Sequence, residues 1–215
     1  MIKAIIFDLD NCLAAANEVG EHLFEPAFEA IRNANRGTLT AEQLAEAFKE
    51  CWRHPLDFVA GKFGFSQEML TAGWEVFSQT FVQTPMIGYG DLAILRELPF
   101  ELYLVTSGFR RLQESKIRAL EIGHVFRGIE IDAIDEVDRK GKQGIFESIL
   151  DARKLRPEEV VVVGDNPDSE IEAGNRLGMK TVQILRPGVP RADNATYYIQ
   201  TFDELKTLLQ EINYL

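Results

Sequence analysis

Cysteine is scarce in this chain. Its two residues, Cys12 and Cys51, match no zinc-binding spacing and form no disulfide framework. Free thiols in a reducing cytosol are expected, and with them a cytoplasmic protein. The three histidines, His22, His54 and His124, are scattered without ligand spacing, so surface or helix-end positions are expected for them. Positive charge is also in deficit. Against 34 Asp and Glu stand 23 Lys and Arg, a formal net charge of -11. That balance argues against unaided binding to nucleic acid or anionic membranes, which relies on basic patches. A small anionic substrate at a locally positive site stays open. No run is long and apolar enough to span a membrane. The first residues do not read as a signal peptide, because Asp8 interrupts the short apolar run after Lys3.

What is present is ordinary globular material: 215 residues, 46% apolar and 27% charged. The β-branched run Ile2 to Phe7 reads as a buried parallel strand. From residue 15 to 84 no strand candidate occurs. "EHLFEPAFEAIRNANR" has helical spacing and stops by Gly37. "TAEQLAEAFKECW" opens with Thr40 as N-cap and Gln43 as its capping-box partner, Pro55 begins "PLDFVAGKF", and Ser66 caps "SQEMLTAGWEVFSQTFV". In that last segment Trp74, Phe77 and Phe81 read as core. After Pro85 helices and strands alternate: "DLAILREL" (helix), "FELYLVTSG" (strand), "RRLQESKIRAL" (helix), "GIEIDAI" (strand), "QGIFESILDARKL" (helix), "EEVVVVGD" (strand), "DSEIEAGNRLG" (helix), "KTVQIL" and "YYI" (strands), and a closing helix "TFDELKTLLQEINYL". Alternation of this kind predicts a parallel sheet with helices on both faces. The expected fold is α/β, a three-layer α/β/α Rossmann-like core of five or six mainly parallel strands. Residues 1–14 and 85–215 form that core, and 15–84 an inserted all-helical domain.

Ligands of open α/β sheets bind beyond the carboxyl ends of the strands. The first strand ends in Asp8 and Asp10, the second in Thr106, Ser107 and Gly108. The third is followed, after an acidic loop, by Lys140, and "VVVV" by Gly164, Asp165, Asp168 and Glu170. Acids, a hydroxyl pair and a lysine therefore gather at one sheet edge.

In this order and spacing the chain resembles the haloacid dehalogenase superfamily. Asp8-Leu9-Asp10 looks like the first family motif, Thr106 in "LVTSG" the second, Lys140 with downstream Ile145-Phe146 the third, and "VVVGDNPDSEIEAG" the fourth. The helical insert looks like the family's small cap, and aspartate at position 10 points to its phosphatase branch. The resemblance implies a Mg²⁺-dependent phosphatase acting on a small phosphorylated metabolite, as a monomer or homodimer. The chemistry fits those residue types. Asp8 at a strand tip can attack phosphorus and form an aspartyl-phosphate. Asp10 can protonate the leaving oxygen and then take a proton from water. Asp8, Asp165 and, as the resemblance implies, the Asp10 carbonyl would hold Mg²⁺ by oxygen. Thr106, Lys140 and backbone N–H groups around Ser107 and Gly108 would bind the phosphate.

Some positions depart from the pattern or stay open. Cys12 stands where the family usually has threonine and is read as a buried small residue; Gly141 replaces the common proline after the motif lysine. Lys142 rivals Lys140 for the third motif, with the spacing to Phe146 favouring Lys140. Glu170 could reach the metal or position the lysine; Asp168 could do either or cap a helix. In "CWRHPLDF", Arg53 or His54 could read substrate, or the stretch is a plain helix junction. "RPGVP" reads as a turn, with Arg186 near the site as the alternative. Rival functions are a 2-haloacid dehalogenase, a phosphomutase, and a non-catalytic binding protein on the same fold.

Overall fold

A computed structural model describes residues 1–214. Strand β1 (Ala4–Phe7) is followed by a 3₁₀ turn (Ala16–Val19) and four helices, α1 (Glu21–Ala34), α2 (Ala41–Glu50), α3 (Leu56–Phe63) and α4 (Gln67–Phe77). Then come β2 (Glu101–Gly108), α5 (Arg110–Ala119), β3 (Gly128–Ala133), α6 (Gly141–Arg153) and β4 (Val160–Gly164). A π turn (Pro167–Ile171), α7 (Glu172–Arg176), β5 (Lys180–Ile184), β6 (Tyr197–Ile199) and α8 (Phe202–Tyr214) complete the chain. The closing helix was expected to reach Leu215, which lies outside the described residues.

Among the described residues the strands form one six-stranded sheet in the order β3-β2-β1-β4-β5-β6, every pair parallel. Successive side chains of a strand alternate between faces, and two cores result. Ile5, Phe7, Leu102, Leu104, Val161 and Val163 point into the larger one. Ala4, Ile6, Tyr103, Val105, Val160 and Val162 point into the smaller. Burial on both faces is why β1 and β4 read as unbroken apolar runs.

The stretch between β1 and β2 forms helices and turns, and its cap signals act as read. Thr40 accepts the Gln43 N–H while the Gln43 side chain accepts the Thr40 N–H, and Ser66 caps α4 through the Met69 N–H. Phe24 stacks on Trp52 at 4.3 Å and meets Phe77 edge-on at 5.0 Å. Trp74 and Phe77 then pack on Phe109, just after β2. This aromatic joint fixes the helices over the strand ends. Trp74 and Phe77 thus belong to the core as expected, while Phe81 carries the Arg111 guanidinium at 4.5 Å. "DLAILREL" forms a helix as expected, of the 3₁₀ kind, over Leu92–Glu97. One expectation needs correction. The helix after β4 begins as a π turn whose N-cap is Asn166, not Asp168. The Asn166 side chain accepts the Asp168 N–H, leaving Asp168 no capping task.

Arg186 is structural. Its guanidinium is buried, pairs with Asp91 through two contacts of 2.8 Å, and donates to the carbonyls of Cys12 and Gln200. It also lies over the rings of Tyr89 and Phe202. One side chain thereby joins the loop after β1, the segment before β2 and the start of α8. Removing one partner of such a pair strands the other charge in the interior. Arg186→Leu is expected to lower stability by about 3 kcal/mol, read as a fall in the urea midpoint at unchanged slope.

Candidate active site

Asp8 is the first residue past β1, and its N–H still bonds Val163 O at 3.0 Å, so the sheet ladder aims its carboxylate over the edge. Lys142 Nζ meets it there, 2.7 Å from Asp8 Oδ1 and 2.7 Å from Glu170 Oε2. The other oxygen of Glu170 accepts the Asn166 N–H. This fold-back needs Gly164, because a Cβ there would lie 2.2 Å from Glu170 Oε1. Asp165 completes a group in which Asp8, Asp165 and Glu170 each offer an oxygen within 4.8 Å of the others.

Three buried acids face one buried ammonium, and the shifts of Asp8 and Asp165 show the imbalance. Burial pushes Asp8 up to about 7; Glu170 and Asp10 add to the shift and Lys142 opposes it. Burial, then Glu170 and Asp8, hold Asp165 well above the ordinary range against the pull of Arg53. For Lys142 burial works against the charge, but Asp8 and Glu170 outweigh it and hold the group above its ordinary value. An all-oxygen acidic cluster with surplus negative charge has the donor set of a hard divalent cation such as Mg²⁺.

The lysine in this cluster corrects the expectation of Lys140. That side chain is exposed and reaches Ser148 Oγ at 3.3 Å, outside the cluster. Helix α6 starts at Gly141, earlier than expected, with Lys140 as its N-cap. Lys142 thereby falls in register with Ile145, Phe146 and Ile149, the buried stripe of α6. Its side chain, on the first turn, leans back toward the helix start and the strand ends.

The second aspartate has its own partners. Lys116 Nζ contacts Asp10 Oδ1 at 2.7 Å and Oδ2 at 2.9 Å, and Gln113 Nε2 contacts Oδ2 at 2.9 Å. Thr106 is buried beside them and accepts from the same Gln113 amide at 2.9 Å. The Ser107 hydroxyl is committed to Asp132, so its phosphate-binding expectation rests on its backbone. Arg139 grips Asp132 with two contacts of 2.8 Å and also pairs with Asp57 of α3. Burial opposes ionisation of Asp132, yet Arg139, Ser107 and the Gly141 N–H together hold it below the ordinary range.

The helical segment supplies the facing wall. Arg53 Nη2 lies 3.7 Å from Asp165 Oδ2, and the Asn166 side chain reaches both Arg53 O and His54 Nδ1 at 3.4 Å. Between wall and strand ends lies a cavity of about 550 Å³, lined among others by Asp8, Asp10, Arg53, Thr106, Lys142 and Asp165. Asp168 also lines it. Cys12 is buried, its sulfur 3.7 Å from Val163 O, and burial pushes its thiol far up. It is a neutral packing residue.

Sequence reasoning missed Gln113, Lys116, Asp132 and Arg139. A signal existed for the first two: Gln113 and Lys116 share the buried face of α5 with Leu112 and Ile117, and a long polar side chain on such a face wants a partner.

Comparison with known proteins agrees with this geometry. The family model for haloacid dehalogenase-like hydrolases matches residues 2–178. The chain belongs to that family. A glyceraldehyde 3-phosphate phosphatase of Methanopyrus kandleri is 33% identical over 201 residues, covering 86% of this chain and 85% of the relative. An N-acylneuraminate-9-phosphatase of Rattus norvegicus is 33% identical over 244 residues, covering 99% and 95%. Among solved structures, a haloacid dehalogenase-like family hydrolase from Streptococcus pneumoniae superposes with a TM-score of 0.71 at 18% identity, covering 97% of this chain and 99% of that one.

A cation entering the cluster competes with the protons that burial favours on Asp8 and Asp165. Because burial pushes Asp8 up to about 7 and holds Asp165 above its ordinary range, Mg²⁺ affinity should rise from pH 6 to pH 8, by about tenfold for release of the Asp8 proton alone. Calorimetric titration at the two pH values checks this; equal affinities would contradict it.

Proposed function

We propose that this chain is a Mg²⁺-dependent phosphatase that hydrolyses a small phosphorylated metabolite through an aspartyl-phosphate on Asp8. The observation that carries this reading is the convergence of Asp8, Asp10, Thr106, Lys142 and Asp165 on one cavity at the carboxyl edge of the sheet. Residues 15–84 act as the cap over it.

Asp8 attacks phosphorus while the bond to the leaving oxygen breaks. Asp10 delivers a proton to that oxygen, then takes one from the water that cleaves the aspartyl-phosphate. Thr106 donates its hydroxyl to a phosphoryl oxygen, and Lys142 favours the ionised form of Asp8 against its burial and offsets phosphate charge. Asp8, Asp165 and Glu170 would hold the metal, with the Asp10 carbonyl as a further oxygen. When bound, Mg²⁺ supplies the positive charge that lets an anionic nucleophile approach an anionic ester. The rest is positioning within a covered cavity.

A 2-haloacid dehalogenase would use the same nucleophile on carbon, but it has no use for a three-acid cluster beside it. The paired Asp10 and that cluster favour phosphate. A cavity of about 550 Å³ suits a metabolite rather than a phosphoprotein. Triose and acylneuraminate phosphates, named by the relatives, come first on the panel.

Release of inorganic phosphate from phosphorylated metabolites, with Mg²⁺ and with excess EDTA, tests the reading. Release that stops with EDTA is expected; none under either condition would sink it, and a phosphorylated product isomer would mark a mutase. Asp8→Asn should lose at least about 1,000-fold in turnover, and Cys12→Thr should stay active. The two lysines should separate cleanly. Lys142→Met should cost about 100-fold or more, whereas Lys140→Met should stay within about threefold because Lys140 is solvated on the far side of the helix start.

A further inference from the structure

The buried pair Lys116 and Gln113 is not needed by the cluster around Asp8. Both lie on α5, three residues apart, 3% and 2% exposed. Among the described residues the ammonium of Lys116 has one ion-pair partner, Asp10. A buried ion pair adds little net stability over an apolar pair of the same volume, so stability alone is a poor reason for one here. The cavity supplies another, because both side chains line it.

The contacts are unequal in a useful way. Asp10 Oδ2 accepts from Lys116 and Gln113, whereas Oδ1 accepts from Lys116 alone. Gln113 Nε2 also lies 2.9 Å from Thr106 Oγ1 and 2.8 Å from Ser107 O. The amide has two hydrogens for these three acceptors, and when one is directed at Thr106 the hydroxyl keeps its own hydrogen for another acceptor. The amide can sit over the strand end because Gly108, at φ +147°, has no side chain; a Cβ there would press on Gln113 at 3.1 Å. Gln113 thus links the acid and the hydroxyl, and Lys116 fixes the acid's remaining freedom.

We propose that Lys116 and Gln113 are positioning residues for the proton transfer to the leaving group, orienting the Asp10 carboxyl so that Oδ1 hands over the proton. The reacting form carries a proton on Oδ1, taken up from solvent before the ester binds; as the P–O bond to the leaving group breaks, that proton passes to the departing oxygen and Asp10 returns to the carboxylate paired with Lys116. The carboxylate so formed stays in the grip of the two donors, placed for the water step. This rests on the phosphatase reading above.

The test separates acid positioning from general damage by the leaving group. An alkoxide leaves poorly without a proton, whereas p-nitrophenolate leaves well without one. The quantity to read is kcat/KM, which covers events up to transfer onto Asp8. For Lys116→Met, a loss of about 100-fold is expected with glyceraldehyde 3-phosphate, or with the best alkyl ester of the panel, and less than about fivefold with p-nitrophenyl phosphate. Lys116→Gln keeps an uncharged amide donor and should recover about tenfold of the alkyl loss. It also carries the comparison should Lys116→Met fail to fold by circular dichroism. Gln113→Met should show the same selective loss. Equal losses on both esters would reduce the pair to structural support, and no loss on either would remove any role. If the wild-type chain hydrolyses no ester, the phosphatase reading fails first, and this inference with it.

Discussion

One ammonium, Lys142, holds two buried carboxylates at the end of the central strand, and much of the fold serves to keep it there. Charges of this kind are costly to bury unless paired and hydrogen-bonded. β1 brings Asp8 to the edge, β4 and its turn bring Glu170 back over Gly164, and α6 drives Lys142 in from the other side. Each comes from a different element, so the pairing exists only when the sheet order is complete. Asp132 extends this dependence: it accepts the Gly141 N–H at 3.0 Å and so pins the helix start from which Lys142 reaches inward.

The helical segment between β1 and β2 is bound to the strand ends by two kinds of contact. The aromatic joint around Phe77 and Phe109 is apolar and close-packed. The polar contacts are Arg139 with Asp57, and Arg53 near Asp165. The apolar joint supplies adhesion, since aromatic burial is worth more than partly solvated ion pairs. The polar contacts bring Arg53 Nη2 to 3.7 Å from Asp165.

The order of elements was legible in the sequence because it rests on local signals. Capping at Thr40 and Ser66, the β-branched runs of β1 and β4, and the alternation after Pro85 each need only near neighbours. So was the gathering of acids, because strand ends share an edge in any parallel sheet. The lysine was not. Choosing between Lys140 and Lys142 depends on where α6 begins, and helix starts are set by tertiary contacts such as Asp132 with the Gly141 N–H. The stripe of Ile145, Phe146 and Ile149 held the answer at helical period, with Lys142 three residues before it. The π turn at Pro167–Ile171, which carries Glu170 to Lys142, was equally hidden, since it departs from ordinary helical spacing.

Two aspartates one residue apart at a strand tip repel each other, and the structure resolves this by giving each a lysine of its own. Lys142 from α6 meets Asp8, and Lys116 from α5 meets Asp10. The two helices follow β3 and β2, so the lysines reach the tip from separate elements and neither can serve both acids. The pairing also separates the two environments. Asp8 shares its lysine with Glu170 and lies beside Asp165, so negative charge is left over around it. Asp10 has a lysine to itself and an amide besides, so its charge is fully met. In the proposed phosphatase, the surplus charge would draw a cation and, through it, an anionic ester, and the fixed carboxyl would serve proton transfer. One short Asp-Leu-Asp segment can thus hold two carboxyl groups with different tasks, because the residues that distinguish them lie more than a hundred positions away in sequence.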